Sequence, residues 1–195
     1  MLRSRIIPCL LVKNGALYKT VNFKEPKYVG DPINAVKIFN EKEVDEIIIL
    51  DIDATAENRE PDYKMIENLA NECRMPLCYG GGIKTVDQAQ RILSLGVEKI
   101  ALSSIAFENS DLIQKIASQA GNQSVVVVID AKKKRLTNNY EAFTHNGVRK
   151  TKLEVVKMAN FFESIGAGEI VINSIDQDDL MQGYDLDLVE QIRQN

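Results

Sequence analysis

Two apolar runs of this chain end at comparable points with very different side chains. The run VVVVIDAKK places Asp130 at the end of a valine-rich stretch, and RIIPCLLVKNG places Leu11 at the matching point. A carboxylate at the end of a buried strand can transfer protons when its surroundings shift its pKa. Leucine can neither donate nor accept a proton. Asp130 is therefore a candidate general acid or base, and Leu11 marks a position where that chemistry is missing.

A glycine run could hold an anionic group. Gly80, Gly81 and Gly82 follow another apolar run and precede a helix start at Thr85. Glycine lets backbone N–H groups approach an anion, and a helix N-terminus favours negative charge. The pattern fits a phosphate site, although a simple turn between a strand and a helix would also explain it.

Predicted strands and helices, which must position these residues, alternate along the chain. Six runs rich in Ile, Val and Leu predict strands at 5–12, 46–51, 76–79, 98–102, 124–130 and 168–173. Because they are continuously apolar rather than alternating, they are typical of parallel strands covered by helices. Helical patterns lie between them, so the predicted class is α/β with parallel strands.

Helix ends and turns have their own signals. Asp31-Pro32 predicts a capped helix start, and Lys13-Asn14-Gly15 predicts a tight hairpin turn. Capping boxes are predicted at Thr85 and Thr151. Glycines predicted to end helices are Gly96, Gly121 and Gly166.

An internal repeat suggests how the strands are organised. DEIIILDID, from Asp45, resembles GEIVINSID, from Gly168, and 123 residues separate Glu46 from Glu169. The spacing from Leu11 to Asp130 is nearly the same, 119 residues. We interpret 1–195 as a single domain built from half-barrels at 1–120 and 121–195, the second partial. The alternative is that two buried strands look alike by chance.

Composition narrows the class of protein. The chain has a net charge of −4 and is 45% apolar, which is typical of an ordinary globular protein and gives no sign of a nucleic-acid partner. The basic run Lys132–Arg135 is interpreted as a solvated loop rather than a phosphate or nucleic-acid patch. Three cysteines without paired spacing indicate reduced thiols and a cytoplasmic location. No apolar run is long enough to predict a membrane span.

Several long segments, in order, carry a resemblance to a known family. They are RIIPCLLVKNG, VNFKEPKYVGDPINAVKIFNEKEVDEIIILDIDAT, PLCYGGGIKTVDQAQRILSLGVEKIALSSIAF, VVVVIDAKK, and GAGEIVINSIDQDD followed by GYDLDLV. Together they resemble the cyclase subunit of imidazole glycerol phosphate synthase. The resemblance implies a (βα)8 TIM barrel that pairs with a glutamine amidotransferase, with no cofactor and no metal. That family adds ammonia to a phosphorylated ribulosyl precursor, closes an imidazole ring and releases an aminoimidazole carboxamide ribotide.

The resemblance also implies roles for particular residues. The family uses two aspartates, at the ends of strands one and five; Asp130 matches the second, and Leu11 occupies the first. Asp51 is a possible substitute, and Lys19 matches a lysine near the substrate. The implied phosphate-binding residues are Gly81, Gly82, Ser103 and Ser104, with Ser103 in place of a common asparagine. The implied entrance for ammonia consists of Arg5, Glu46, Lys99 and Glu169, each at the start of a different strand.

The missing carboxylate leads to a hypothesis about function. A branch of the family, encoded in bacterial surface-polysaccharide clusters, is similar at the CLLVKNG segment, and it implies conversion of an acetamido sugar to an acetamidino sugar. The first alternative is the genuine cyclase of histidine biosynthesis. The second is an inactive or scaffold fragment, because about six βα units are present where a complete barrel has eight. We expect the chain to be C-terminally truncated and its isolated form to be poorly soluble or oligomeric.

Overall fold

The computed structural model describes residues 4–194, which divide into two units. The first unit contains the residues up to Lys19 and Tyr28–Ala101, and the second contains Thr20–Lys27 and the chain from Leu102 onward. The elements up to residue 102 are β1 (Cys9–Lys13), β2 (Ala16–Val21), β3 (Lys24–Gly30), α1 (Pro32–Glu41), β4 (Ile47–Asp51), α2 (Tyr63–Glu72), β5 (Leu77–Gly80), α3 (Val86–Ser94) and β6 (Lys99–Leu102).

The strands up to residue 102 are ordered β3-β2-β1-β4-β5-β6. β1, β4, β5 and β6 run parallel, and β2 runs antiparallel to β1. Ile47, Ile48 and Ile49 of β4 are all buried, as expected for a strand with both faces covered. The register aligns Leu11 with Leu50 and Val12 with Asp51.

Local signals explain where these elements begin and turn. The side chain of Asp31 accepts a hydrogen bond from the N–H of Asn34, with Pro32 in the first turn of α1. Thr85 and Gln88 form the reciprocal capping box of α3. Asn14 and Gly15 both have positive φ, as a two-residue hairpin turn requires. These predictions are confirmed.

The second unit repeats part of this pattern. Its main elements are α4 (Ser104–Glu108), α5 (Asp111–Ala120), β7 (Val125–Lys133), β8 (Tyr140–Thr144), β9 (Arg149–Glu154), α6 (Val155–Ser164), β10 (Glu169–Ser174) and α7 (Leu186–Arg193). β7 pairs in parallel with β10 and antiparallel with β8, which pairs antiparallel with β9. Gly121 and Gly166 follow α5 and α6 with positive φ, as predicted, and Gly96 does the same after α3.

Two predicted element starts are wrong. Thr151 does not cap a helix, because it lies within β9, and α6 begins after Glu154 without a side-chain cap. The first strand begins at Cys9 rather than Arg5. Pro8, which has no N–H to donate, precedes it. The carbonyl of Pro8 nevertheless accepts from the N–H of Ile48, so the chain already follows β4 before the strand begins.

The tip of the β2–β3 hairpin belongs to the second unit and is held by one aspartate of that same unit. Oδ2 of Asp178 accepts from the hydroxyl of Thr20 and from the N–H of Phe23, each at 2.9 Å. The carbonyl of Asp178 accepts from the N–H of Asn22 at 3.2 Å. Three hydrogen bonds to one residue therefore hold a four-residue turn.

The predicted α/β class with parallel strands is confirmed. The six predicted parallel strands correspond to β1, β4, β5, β6, β7 and β10. The incomplete (βα)8 barrel, and the half-barrels at 1–120 and 121–195, stay predictions.

Candidate functional site

Asp130 lies on β7 in a mostly buried position. It is 6% exposed and is aligned with Asn173 on β10 and Phe143 on β8. The amide of Asn173 donates to Oδ1 of Asp130 at 3.1 Å. Burial raises the pKa of Asp130 to about 6; the hydrogen bond from Asn173 opposes this rise, and the charge of Asp178 adds to it. Near neutral pH such a group can both hold and release a proton.

Leu11 has apolar and aromatic neighbours on its adjacent strands. It lies in the middle of β1, half-buried, opposite Leu50 on one side and Tyr18 on the other. The Leu11–Leu50 pair provides no acid or base. The structure places no carboxylate at this point of the sheet register.

Asp51 occupies the other face of the sheet from Leu11. It is aligned with Val12, one residue along, and successive side chains of a strand point to opposite faces. Its Oδ1 accepts from the N–H groups of Asp53 and Ala54 at 3.2 and 3.0 Å, and Arg59 lies 3.4 Å away. Asp51 thus anchors the loop after β4, and its position does not favour the predicted role as a substitute for Leu11.

An ion pair that sequence reasoning missed lies close to the end of β1. Nζ of Lys13 is 2.9 Å from Oδ2 of Asp53, which is mostly buried. The hydrogen bond to Asp53 and its charge raise the pKa of Lys13. Lys13 is two residues beyond Leu11, so the two share a strand face. The only hint in the sequence is the second aspartate of DIDAT.

The glycine run is required by close packing. Gly81 and Gly82 have φ of 120° and 72°. A Cβ on Gly81 would come within 2.5 Å of the carbonyl oxygen of Asp51, and one on Gly82 within 2.7 Å of that of Arg59. The N–H of Gly82 points to the hydroxyl of Thr55 at 3.4 Å. The loop after β4 accounts for these glycines, and their role in binding phosphate stays a prediction.

The two predicted serines belong to the second unit. Ser104 is buried, and its hydroxyl oxygen accepts from the N–H of His145 at 2.9 Å. Within residues 4–194, no group accepts a hydrogen bond from its hydroxyl. Ser103 precedes α4 without a side-chain capping bond.

Three of the four predicted entrance residues form one cluster in the first unit. Oε2 of Glu46 is 3.0 Å from Nη1 of Arg5 and 2.7 Å from Nζ of Lys99. Glu46 is 2% exposed, and its Oε1 has no hydrogen-bond partner among the described residues. Glu169 begins β10 in the second unit. Lys19 lies on β2 with an exposed side chain.

The described helices and side chains exclude two features within residues 4–194. None of these helices is long and apolar enough to cross a membrane. Within the same residues, no group of three or more His, Cys, Asp or Glu side chains is placed to hold a metal ion.

Comparison with known proteins decides the family. Residues 5–195 match the model of the family described as "Histidine biosynthesis protein". A protein of Vibrio vulnificus named "Putative imidazole glycerol phosphate synthase subunit hisF3" is 56% identical over 193 residues, which cover 99% of this chain and 74% of that protein. The imidazole glycerol phosphate synthase subunit HisF of Lactococcus lactis is 42% identical over 192 residues, covering 98% and 74%. The chain belongs to the HisF family.

HisF membership settles part of the predicted function. It confirms that the chain is an enzyme of the imidazole glycerol phosphate synthase type. A relative from Pseudomonas aeruginosa, 53% identical over 195 residues covering 100% of this chain and 77% of that protein, also has a name of this type. These names give no support to the acetamidino-sugar hypothesis and fit the histidine-biosynthesis alternative better.

Proposed function

We propose that this chain is the ammonia-dependent cyclase subunit of an imidazole glycerol phosphate synthase, acting on a phosphorylated ribulosyl precursor with Asp130 as its main proton-transfer group. The observation that carries the proposal is the burial of Asp130, with a pKa of about 6, beside Asn173. At pH 7 such a group is protonated in about a tenth of molecules, so it can both take up and return protons. The names of the HisF relatives support the same reaction.

Ammonia would enter past Arg5, Glu46 and Lys99. Oε2 of Glu46 lies 3.0 Å from Nη1 of Arg5 and 2.7 Å from Nζ of Lys99. Oε1 of Glu46, buried and without a donor among the described residues, can accept a hydrogen bond from an ammonia N–H. This unsatisfied acceptor supports a role for the cluster in the passage of ammonia.

A second proton carrier would compensate for Leu11. Within the first unit, the candidate for this role is Asp53, whose Oδ2 lies 2.9 Å from Nζ of Lys13.

Each unit has its own candidate residues for binding phosphate. Gly81 and Gly82 supply a backbone that a ligand can approach closely, and Ser103 and Ser104 supply hydroxyl hydrogens. The hydroxyl oxygen of Ser104 is already an acceptor for His145, which leaves its hydrogen free to donate to an anion.

Turnover with ammonium salts as the nitrogen source tests the proposal. We expect the ribulosyl precursor to be converted to an imidazole product, and Asp130→Asn to slow the conversion by about 10²–10⁴-fold. Asp87→Asn, at the exposed first turn of α3, is the matched control and should leave the rate unchanged. A wild-type protein that binds the precursor but does not close the ring would contradict the cyclase assignment.

The predicted glutamine amidotransferase partner is tested at Lys99. With the partner and glutamine as nitrogen source, Lys99→Met should slow turnover strongly, while turnover with excess ammonium should change little. Lys64→Met, on exposed α2, is the control. Equal losses under both nitrogen sources would place the defect in folding or catalysis and contradict the entrance role.

The leucine at position 11 is the single observation that favours a second candidate reaction, the amidination of an acetamido sugar. Amidination of an acetamido sugar needs ammonia but no ring closure, and so it needs fewer proton transfers. Offering an acetamido-sugar nucleotide in place of the ribulosyl precursor distinguishes the two, since only one of them should be consumed.

A further inference from the structure

The ribbon formed by β7, β8 and β9 carries a cleft of about 700 Å³ in the second unit. Its charged and aromatic lining comprises Lys132, Lys133, Lys134, Arg135, Lys150 and Lys152, with Glu141 and Phe143. A volume of this size suits a small ligand. We propose that this cleft binds a phosphorylated sugar, which its lysines hold by the phosphate and Glu141 by a hydroxyl group.

The charge balance of the cleft points to an anion. Glu141 is the only acid in its lining, and Lys150 pairs with it at 3.1 Å. Within residues 4–194, Lys132, Arg135 and Lys152 form no ion pair, and all three are exposed. Such a concentration of unpaired cations is unusual for a chain with a net charge of −4. It produces a local field that attracts negatively charged ligands.

Glu141 favours a ligand that has a hydrogen-bond donor as well as a negative charge. The residue is 4% exposed, and its Oε1 has no hydrogen-bond partner among the described residues. A buried carboxylate oxygen without a donor is costly, so it favours a ligand that brings a hydroxyl or amino hydrogen. A sugar hydroxyl beside a phosphate supplies both features. Phe143, half-buried, offers an apolar surface for the sugar ring.

The backbone of β9 is distorted at the cleft. Lys152 has a φ of 63°, in the left-handed region that side chains other than glycine rarely adopt. The β8–β9 register shifts between Glu141 and Phe143. Irregularities of this kind re-aim side chains and are frequent beside binding sites. Here the strain accompanies a lysine that lines the cleft.

The internal repeat explains why Lys132 forms no ion pair among the described residues. Lys132 stands 119 residues after Lys13, and Asp176 stands 123 residues after Asp53, which are the spacings of the repeat. Nζ of Lys13 is held by Asp53, but Asp176 accepts instead from the backbone N–H of Lys133 at 3.0 Å. The side chain of Lys132 is therefore left for a ligand. Its strand face is that of Asp130, two residues earlier.

Calorimetric titration with ribose 5-phosphate tests the proposal without ammonia or a partner. We expect saturable binding, and at least tenfold weaker binding in the double variant Lys132→Ala/Lys152→Ala. The matched control is Lys42→Ala/Lys64→Ala, which removes two exposed lysines from the first unit and should bind like the wild type. Wild-type affinity in the cleft variant, or no binding by the wild type, would overturn the proposal.

Glu141→Gln separates recognition of the sugar from attraction of phosphate. Gln removes the charge that pairs with Lys150 and weakens acceptance from a hydroxyl. We expect the preference for ribose 5-phosphate over inorganic phosphate to fall at least fivefold, with no loss of affinity for inorganic phosphate. An unchanged preference would show that Glu141 does not contact the ligand and would refute this mode of binding.

Discussion

The first parallel strand of each unit is followed by two further strands, a helix and a second parallel strand. The side chains at matching positions are apolar in the first unit and polar in the second. β1 continues into the β2–β3 hairpin, α1 and β4, while β7 continues into β8, β9, α6 and β10. At the matching point of the register, the first unit pairs Leu11 with Leu50 and the second pairs Asp130 with Asn173. A carboxylate and its donor are present together in one unit and absent together in the other.

Both members of the Asp130–Asn173 pair have apolar counterparts in the first unit, so the two units differ at two aligned positions rather than at one. Restoring Asp at position 11 alone would place a carboxylate beside Leu50, which cannot donate a hydrogen bond. Near the end of β1 the polar side chains are those of Lys13 and Asp53, which pair at 2.9 Å. Proton transfer is therefore expected to be unequal between the two units.

The largest expected effect is on catalysis by the second unit. Asp130→Asn should lower turnover by about 10²–10⁴-fold, the range for loss of a general acid or base. Leu11→Asn should change it little, since no proton transfer is lost there. Initial rates with ammonium measure both. Comparable losses in the two variants would remove the functional difference between the strand ends.

Stability as a function of pH should show the cost of the buried carboxylate. The pKa of Asp130 in the folded protein, about 6, lies above the ordinary value of 3.8. Ionisation of Asp130 therefore lowers the free energy of unfolding of the wild-type protein. This loss is absent below pH 4 and complete once the pH has risen above 6. The difference in unfolding free energy between Asp130→Asn and the wild type should therefore shift in favour of the variant by up to about 3 kcal/mol from pH 4 to pH 8. Denaturant unfolding at both pH values measures this, and a pH-independent difference would refute the raised pKa.

A double-mutant cycle tests whether the lost pair can be rebuilt. Leu11→Asp should destabilise the protein by about 1–3 kcal/mol, because it places a carboxylate in an apolar position. Adding Leu50→Asn should recover about 1 kcal/mol through a new hydrogen bond like that of Asn173. Urea unfolding of the two single variants and the double variant gives the coupling. Simple additivity would mean that the β1–β4 register does not bring the two side chains together as described.

The smallest effect concerns the two repeat-related lysines. Lys13→Ala breaks an ion pair and should lower the melting temperature slightly, with less effect in high salt. Lys132→Ala breaks none and should leave the melting temperature unchanged. Thermal melts at low and high salt compare them. A larger drop for Lys132→Ala would show that its side chain has a structural partner.

The sequence predicted the parallel strands well because their signal is local. Continuous runs such as Ile47–Leu50 and Val125–Ile129 indicate buried strands without reference to the rest of the chain. The β8–β9 ribbon was missed because KKKRLTNNYEAF is polar and lacks alternation. Thr151 resembles a capping residue, but the chain pairs with β8 there and the helix starts later.

The parts of the site that sequence reasoning missed depend on long-range register. A shift of one residue in the β1–β4 register would move Asp51 to the sheet face of Leu11. No local sequence pattern indicates this register. The Lys13–Asp53 ion pair and the Asp130–Asn173 hydrogen bond each join residues about 40 positions apart. Burial of Glu141 within a basic ribbon likewise depends on strands that were not predicted.

Asp178 has a consequence for how the protein is made. The turn it fastens ends at Phe23, 155 residues earlier in the chain. During synthesis at about 5–20 residues per second, that turn waits on the order of 10–30 s for its partner to be made. The hairpin tip therefore forms these hydrogen bonds only after Asp178 has been translated, long after its own residues have been made.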